Sequence, residues 1–315
     1  MKLGTSSKLL FAFVLALNTP IFPQQQSVAA GPANLSGFFT GTRGTFFSRV
    51  EEVALVLSVT DSRGHFVQGL RPSDLTVFDN GQKQEALTFF QSQTDLPLHI
   101  ALVLDVSGSV GGRFDEERNA IRSFLNKNVR PMDDVMLFAF NRQLEMVAPV
   151  TDNWKQVSER VRKLHPEGET SIFDAVIAAA RWLERDPVPS RRILILISDG
   201  EENASSQSMG QAIAETLKAE SSIYSVDISD EFLTDASKSG TGILKHLAEA
   251  TGGNYLKAEQ DGDVSHAFGK ITRELRSQYA LAYKPSNLAQ QIFHTLLVVA
   301  PQKLHVRCRA GYYAK

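Results

Sequence analysis

Carboxylate and hydroxyl side chains follow one apolar run of the chain at alternate positions. Asp105, Ser107 and Ser109 come directly after the apolar residues 100–104. Oxygen donors of this kind suit a hard cation, because Mg²⁺ prefers near-octahedral oxygen ligands and keeps several waters. An Asp-x-Ser-x-Ser string also arises by chance in roughly one chain in ten of this length, and Asp105 alone would serve equally well as a helix cap. The string therefore needs support from elsewhere in the chain.

Two further junctions of the chain carry oxygen donors. Asp199 follows a second apolar run, residues 193–198, and Thr170 lies in the loop of residues 167–171 between the two runs. In an open parallel sheet, ligand sites form beyond the carboxyl ends of the strands, where such junctions meet. Helix capping explains each residue separately, but it does not explain oxygen donors at all three junctions. The combined pattern favours a metal site.

This pattern resembles the metal-ion-dependent adhesion site of the von Willebrand factor A (VWA) domain family, which combines Asp-x-Ser-x-Ser, a loop Thr and an Asp-Gly. The resemblance implies a bound Mg²⁺, with Mn²⁺ or Ca²⁺ as alternatives, and a protein ligand that contributes an exposed Asp or Glu. The family often has Gly where this chain has Glu169, whose carboxylate would weaken capture of an acidic partner if it pointed inward. We expect Glu169 to point to solvent. The metal ligands implied by the resemblance are Asp105, Ser107, Ser109, Thr170 and Asp199.

The first thirty residues differ in composition from the remainder of the chain. Lys2 and Lys8 precede an apolar stretch, residues 9–17. The segment ends with two small residues, Ala29 and Ala30. This arrangement predicts a secretory signal peptide over residues 1–30, cut after Ala30. An uncleaved anchor is the alternative, but the stretch is shorter than the ~20 residues that span a bilayer. We expect a secreted or periplasmic protein with no integral membrane span after signal removal.

Composition excludes several kinds of function. The chain has 315 residues, of which 43% are hydrophobic and 22% charged, which is typical of a soluble globular protein. Loss of residues 1–30 would change the formal charge from −2 to −4, because that segment contains two lysines and no acidic residue. No stripe of Lys and Arg suits nucleic acid, no Gly-x-x-x-x-Gly-Lys string suits a nucleotide, and the histidines lack zinc-type spacing. The single cysteine, Cys308, cannot form an internal disulfide, and we expect it to fill an apolar strand position.

Hydrophobic periodicity divides the remaining chain. Residues 31–45 predict a flexible lead, and residues 46–94 a small β module with alternating apolar residues and a turn at residues 79–81. The module resembles the β region that precedes the A domain in secreted bacterial VWA-related proteins. The tail, residues 279–315, has strand-like runs at 279–283, 292–299 and 304–309 with no helix between them. We expect these strands to pair antiparallel with the β module and complete its sheet.

Residues 97–278 alternate between apolar runs and amphipathic stretches, which predicts an α/β, doubly wound, mainly parallel sheet as in the Rossmann-like VWA fold. Leu137 and Leu144 are too close for a crossover helix, so their strands predict one antiparallel edge hairpin. The strands are expected at 98–104, 135–140, 144–150, 193–197, 222–227 and 253–258. The helices are expected at 114–128, 153–164, 172–185, 207–220, 243–250 and 264–277.

Other acidic residues near these junctions allow alternatives. Asp174 is expected to bond locally and to be structural rather than a ligand. Glu201 and Glu202 are expected to form a solvated charged loop, with a second cation site or the steering of partners as the alternative. A metal-dependent hydrolase would need one of Glu169, Glu201 or Glu202 as general base, but no ordering partner is recognisable. A chelatase-type A domain is disfavoured by the signal peptide, and an envelope assembly factor without metal-dependent capture stays open. The sequence therefore predicts cation-dependent protein binding or adhesion, and not an enzyme.

Overall fold

The structure is a computed structural model that describes residues 52–92, 96–112, 114–151, 154–185, 190–229, 235–258, 263–286, 293–301 and 303–314. The expected signal peptide, residues 1–30, and the expected lead, residues 31–45, lie outside these ranges. All described residues belong to one compact unit that extends from Gly44 to Lys315. Within the described ranges, no helix has both the length and the apolar character that a bilayer span requires.

Four strands precede the parallel sheet. In the first of them, apolar side chains at Val53, Leu55, Leu57 and Val59 are all buried, as the period-two pattern predicts. The turn between the second and third strands places Asn80 and Gly81 at φ values of 48° and 76°, which a two-residue type I′ hairpin requires. The expected turn at residues 79–81 is therefore confirmed. The strands are β1 (Val53–Thr60), β2 (Thr76–Asp79), β3 (Gln82–Lys83) and β4 (Leu87–Ser92).

A six-stranded sheet forms the centre of the following region, in the order β10-β9-β8-β5-β6-β7. Neighbouring strands are parallel except for β6 and β7, which confirms the edge hairpin. Its strands are β5 (Leu98–Asp105), β6 (Asp134–Phe140), β7 (Leu144–Thr151), β8 (Arg191–Ser198), β9 (Ser221–Asp227) and β10 (Tyr255–Lys257). The helices are α1 (Phe114–Lys127), α2 (Trp154–Val161), α3 (Ile172–Arg185), α4 (Met209–Lys218), α5 (Asp235–Thr251) and α6 (Asp263–Ser277).

Helices cover both faces of the central sheet. Every residue of β5 is buried, because alternate side chains enter two different cores. Leu102 packs in the core that includes Phe124 of α1 and Phe268 of α6, whereas Val103 packs in the core that includes Val176 of α3. A strand buried on both faces must be apolar throughout, which explains the unbroken runs in the sequence. The doubly wound α/β fold is confirmed.

The predicted helix at residues 243–250 is too short. Helix α5 extends from Asp235 to Thr251, and its first half contains Gly240 and Gly242, which lower intrinsic helix propensity. Tertiary packing overrides this cost, because α5 packs against β9 and contributes Leu244 and Leu247 to the buried core. Helix α4 is instead shorter than predicted, because Ser208 caps its start through a hydrogen bond from the Gln211 N–H.

The tail strands divide between two sheets rather than completing one. Strands β11 (Tyr279–Tyr283), β12 (Phe293–Val299), β13 (His305–Arg307) and β14 (Gly311–Tyr313) form the sheets β13-β1-β11-β4 and β14-β12-β2-β3 with the first four strands. Leu55 and Leu281 of the first sheet share one core with Val77 and Val298 of the second. Each sheet has one apolar face, and a second sheet buries that face efficiently. Strand β14 has only three residues, and the sequence pattern did not predict it.

Cys308 packs against this shared core, as expected for a small apolar side chain, although it lies just after β13 and not within it. Burial raises the pKa of its thiol to about 11. Because the thiolate is the reactive form of cysteine, this shift favours a packing role for the residue.

Candidate metal site

The two aspartates of the sequence pattern lie at the same edge of the central sheet. Asp105 ends β5 and Asp199 directly follows β8, and these strands are parallel neighbours. The Asp105 carboxylate is completely buried. One of its oxygens accepts the backbone N–H of Ser107 at 2.8 Å, and the other accepts the hydroxyl of Ser198 at 2.5 Å. These two bonds fix the orientation of the carboxylate.

The hydroxyls of Ser107 and Ser109 lie side by side, with 3.1 Å between their Oγ atoms. Ser107 is buried and Ser109 is exposed, so the pair extends from the interior toward solvent. A short 3-10 helix, Gly108–Gly112, carries the chain from β5 into α1. Ser107 directly precedes this helix and Ser109 is its second residue, so both hydroxyls lie where the chain turns away from β5.

The loop that contains Thr170 is bound to this turn through the backbone. The Gly108 N–H donates to the Gly168 carbonyl at 3.0 Å, and the Glu167 N–H donates to the Val106 carbonyl at 2.8 Å. Gly168 has a φ of 85°, a left-handed conformation that glycine adopts without steric cost. The first two parts of the predicted pattern are therefore brought together.

Asn203, which the sequence analysis did not identify, holds Thr170 in place. The Asn203 side-chain carbonyl accepts the Thr170 N–H at 2.9 Å, and the Thr170 carbonyl accepts the N–H groups of Asn203 and Ala204 at 3.1 and 3.0 Å. Thr170 is buried. Because Asn203 lies four residues beyond Asp199, these bonds attach the loop after β8 to the loop before α3. All five predicted ligand positions thus lie on three loops that contact one another.

Glu202 does not belong to a solvated loop, and that expectation is wrong. One carboxylate oxygen accepts the N–H groups of Ile172 and Phe173 at 2.7 and 3.3 Å. The other accepts the N–H groups of Ala204 and Ser205 at 3.2 and 2.8 Å. An acidic side chain in this position satisfies the free N–H groups at the start of α3 and matches the helix dipole. Glu202 therefore builds the loop and has no free oxygen to act as a general base.

Asp174 organises the same region from within α3. Its carboxylate accepts the N–H and the hydroxyl of Ser206, both at 2.9 Å, and the N–H of Gln207 at 3.0 Å. The residue is structural, as expected, but its bonds reach across to the loop before α4 and not along its own helix. Sequence spacing gives no signal for such a contact.

Burial and charge act together on the Asp105 carboxylate. Burial raises its pKa to about 7, hydrogen bonds from Ser198 and Ser107 oppose this rise, and the charge of Asp199 adds to it. The negative form of a buried carboxylate beside a second carboxylate is costly unless a cation compensates it. The donor set therefore fits a divalent cation.

The other donors at this edge agree with a hard cation. Among the described residues, no group of three or more His, Cys, Asp or Glu side chains has metal-binding geometry, so a soft or purely anionic site is absent there. Two carboxylates and three hydroxyls are instead the oxygen-rich, weakly charged donor set that Mg²⁺ or Mn²⁺ accepts.

Glu169, the departure from the family pattern, has its side chain in solvent. Its carboxylate lies 3.3 Å from the guanidinium of Arg142, and both side chains are more than half exposed. A surface pair of this kind contributes little to stability. Its charge is partly neutralised and lies in solvent, as expected from the sequence.

Two glycines allow the Asp199 turn to contact α5. Gly200 has a φ of 82°, and a Cβ atom built on Gly240 would lie 2.7 Å from the Gly200 carbonyl carbon and 2.9 Å from the backbone carbonyl oxygen of Asp199. No side chain fits in this space without displacement of the turn. Gly242, two residues along the same helix, has no atom within 4 Å of the equivalent position.

We therefore expect Gly240→Ala to weaken Mn²⁺ binding by roughly tenfold, because a shift of a few tenths of an ångström misplaces the Asp199 carboxylate. Gly242→Ala is the matched control, since it makes the same change in helix propensity in open space. Isothermal titration of both variants measures the difference. Equal affinities for the two variants would contradict a positioning role for Gly240.

Comparison with known proteins agrees with the fold. Residues 100–202 match the family model for the von Willebrand factor type A domain. Inter-alpha-trypsin inhibitor heavy chain H4 of Sus scrofa is 23% identical over 214 residues, which cover 62% of this chain and 22% of that protein. The human protein is 24% identical over 222 residues, with 63% and 22% coverage. The chain thus aligns with less than a quarter of the length of these relatives.

A solved structure supports the fold over a longer part of the chain. The von Willebrand factor type A structure from Catenulispora acidiphila superposes with a TM-score of 0.51 and 11% identity, covering 86% of this chain and 76% of that one. Three observations agree with the same family. They are the order of the central sheet, the position of Asp105 at the end of β5 and the match over residues 100–202. Residues 100–202 therefore lie within a domain of the von Willebrand factor type A family.

Proposed function

We propose that this protein binds a protein partner through a divalent cation held by Asp105, Ser107, Ser109, Thr170 and Asp199. The observation that carries the proposal is the meeting of three oxygen-bearing loops around the buried Asp105 carboxylate. Mg²⁺ is the proposed ion, with Mn²⁺ or Ca²⁺ as substitutes. A bound cation of this kind supplies positive charge and an open coordination position for a carboxylate of the partner.

Some residues would bind such an ion directly, and others hold those ligands in position. Ser198 and the Ser107 N–H orient the Asp105 carboxylate, and Asn203 fixes the loop of Thr170. Only two of the five proposed ligands are acidic, so the ion keeps part of its attraction for an outside carboxylate. Glu169 leaves the approach open because its side chain pairs with Arg142 in solvent.

The positions of the nearby acids also favour binding over hydrolysis. A hydrolytic site needs a general base within hydrogen-bond reach of the attacking water. Glu202 is committed to four backbone N–H groups, and Glu169 pairs outward with Arg142. Ligation of a partner, without turnover, is therefore the proposed activity.

The wider setting of the protein is part of the same proposal. We place it outside the cytoplasm, secreted or periplasmic, after loss of residues 1–30. Residues 97–278 form the proposed binding domain, and residues 46–94 with 279–315 form the proposed β module that carries it. The strand pairing of β1 and β4 with β11 supports this division.

Calorimetric titration with Mn²⁺ tests the metal site directly. We expect one site in the wild type and at least about tenfold weaker binding in Thr170→Val, because valine keeps the shape of threonine but removes its hydroxyl. Capture of partners from envelope or culture-medium proteins, with and without chelator, then tests the function. Partners that all remain bound in chelator would refute cation-dependent capture, and unchanged affinity in Thr170→Val would refute the ligand set.

A further inference from the structure

A surface cleft lies along α3, and none of the five proposed metal ligands lines it. Its volume is about 420 Å³, and it extends from Asp174 and Ser206 at one end to Trp182 and Arg185 at the other. Trp182 lies eight residues after Asp174, which corresponds to roughly 12 Å along a helix. The two ends of the cleft are therefore distinct places on the molecule.

The far end of the cleft displays an aromatic ring to solvent. Trp182 is 42% exposed, although tryptophan is mostly buried in folded proteins. The guanidinium of Arg185 lies 5.2 Å from the centre of its ring, and Arg181 lines the same cleft. Tryptophan and arginine are the side chains most enriched at the energetic centres of protein interfaces.

A chain of contacts connects this end of the cleft to the β14-β12-β2-β3 sheet. Arg181 pairs with Glu215 of α4 at 3.0 Å, and Lys218 of α4 pairs with the same carboxylate at 2.8 Å. The Lys218 ammonium also lies 5.5 Å from the ring centre of Tyr313, and that ring contacts Phe293 at 5.2 Å. We call this surface the basic-aromatic face; it consists of Arg181, Trp182, Arg185, Lys218, Tyr313 and Phe293.

Exposed apolar side chains continue from this face along β12. Phe293, Leu297 and Val299 are 38%, 59% and 44% exposed, and their odd-numbered positions place them on one side of the strand. Six large apolar side chains are exposed among the described residues. Four of them, these three and Trp182, belong to the basic-aromatic face or to its extension along β12. Scattered exposed apolar residues are ordinary, but a contiguous set indicates an interaction site.

The charge of the basic-aromatic face is positive. Hydrogen bonds from Lys218 and from Arg181 lower the pKa of Glu215, so its single negative charge is shared between two cations. Arg185 adds a third cation on the same side. Asp174, at the opposite end of the cleft, already accepts three hydrogen bonds from Ser206 and Gln207.

We propose that the basic-aromatic face binds an acidic segment of a protein partner, one that carries aromatic or aliphatic side chains flanked by carboxylates. The apolar side chains would cover Trp182 and Phe293, and the carboxylates would pair with Arg185 and Lys218. Three cations against one carboxylate are too few for nucleic acid, which requires a row of phosphate contacts. They are also fewer than the clusters of four to eight that mark binding to anionic lipid. This surface acts independently of the metal site.

Labelled peptides test the proposal, with EDTA present throughout so that the metal site does not contribute. The probes are acetyl-Asp-Asp-Phe-Asp-Asp-amide and its counterpart with Lys in place of Asp. We expect the acidic peptide to raise fluorescence anisotropy in a saturable way and to quench Trp182 in the Trp154→Phe background, which leaves one tryptophan. The lysine peptide should not bind.

Two substitutions locate the binding on the surface. Trp182→Ala and Arg185→Ala should each lower the affinity for the acidic peptide by roughly fivefold or more. Arg162 is a surface arginine paired with Glu159, and Arg162→Ala should leave that affinity unchanged. Equal binding of both peptides, full binding in Trp182→Ala, or binding only to phosphatidylserine vesicles would overturn the proposal. Because the assay excludes metal, its failure would leave the cation-dependent function intact.

Discussion

We expect Asp105→Asn to abolish Mn²⁺ binding and to leave the metal-free protein at least as stable as the wild type at pH 8. The substitution keeps the shape of the side chain: its amide oxygen accepts the Ser107 N–H, and its amide nitrogen donates to the Ser198 hydroxyl. It removes the buried negative charge. That charge attracts the cation, and it destabilises the folded protein when no cation is bound. Calorimetric titration and urea unfolding in EDTA measure the two effects.

The pH dependence of stability gives a further readout of this substitution. Burial raises the folded-state pKa of Asp105 to about 7, above the value of about 4 in an unfolded chain. The native state therefore holds this proton more tightly, and the metal-free wild type loses stability as the pH rises from about 4 to about 7, with no further loss from this group above that range. Asp105→Asn should show a flatter stability profile between about pH 4 and 7.

Saturating metal should increase the difference in stability between the wild type and Asp105→Asn. An ion at about one hundred times its dissociation constant stabilises the wild type by about 2.7 kcal/mol and the variant by nothing. Asp227→Asn is the matched control, because Asp227 is also buried at the end of a strand of the central sheet, β9, and also accepts bonds from an N–H and from hydroxyls. It should lower stability and keep Mn²⁺ binding. Retained Mn²⁺ binding in Asp105→Asn would contradict the assigned site.

Glu274→Ala should lower the free energy of unfolding by about 3–5 kcal/mol, the usual cost of breaking a buried ion pair. Glu274 of α6 is 1% exposed. One carboxylate oxygen accepts the hydroxyls of Ser58 and Tyr224 at 2.9 and 3.1 Å and pairs with the guanidinium of Arg307, and the other accepts Asn254 at 2.8 Å. The substitution leaves all four donors without this acceptor.

The same contacts predict which part of the structure loses stability. Ser58 and Arg307 belong to β1 and β13, whereas Tyr224 belongs to β9 of the central sheet, so this carboxylate joins the two β-sheet regions. Urea unfolding followed by circular dichroism measures the loss. Glu249→Ala is the control, because Glu249 forms only an exposed pair with Lys245 at 3.9 Å and should change stability by less than about 0.5 kcal/mol. Similar stabilities for the two variants would show that the Glu274 contacts are energetically unimportant.

The sequence predicted the parts of this molecule that depend on local periodicity. The runs before Asp105 and Asp199 are apolar at every position because β5 and β8 are buried on both faces, and that pattern located both strands and the edge at which the two acids meet. The tail strand Tyr279–Tyr283 was predicted with its observed bounds. Helix α5 was shortened in the prediction, because Gly240 and Gly242 lower helix propensity in a segment that packing holds helical.

The supporting contacts of the site could not be predicted in this way. Asn203 and Glu202 act through backbone groups of residues near Thr170, about thirty positions earlier, and no periodic signal encodes such pairs. Ser198 was seen only as the end of an apolar run, although its hydroxyl bonds to Asp105. These residues become recognisable once the loops are folded against one another.

The pairing of β4 with β11 determines how the protein responds to mechanical force. Ser92, at the end of β4, pairs with Tyr279, at the start of β11, so the chain enters and leaves the intervening region, residues 97–278, at neighbouring points. Tension applied between the segment before β1 and the segment after β14 must first peel β4 from β11 before it can stretch that region. We therefore expect a pull along the chain to load the ladders of the outer sheets before it separates the two ends of that region.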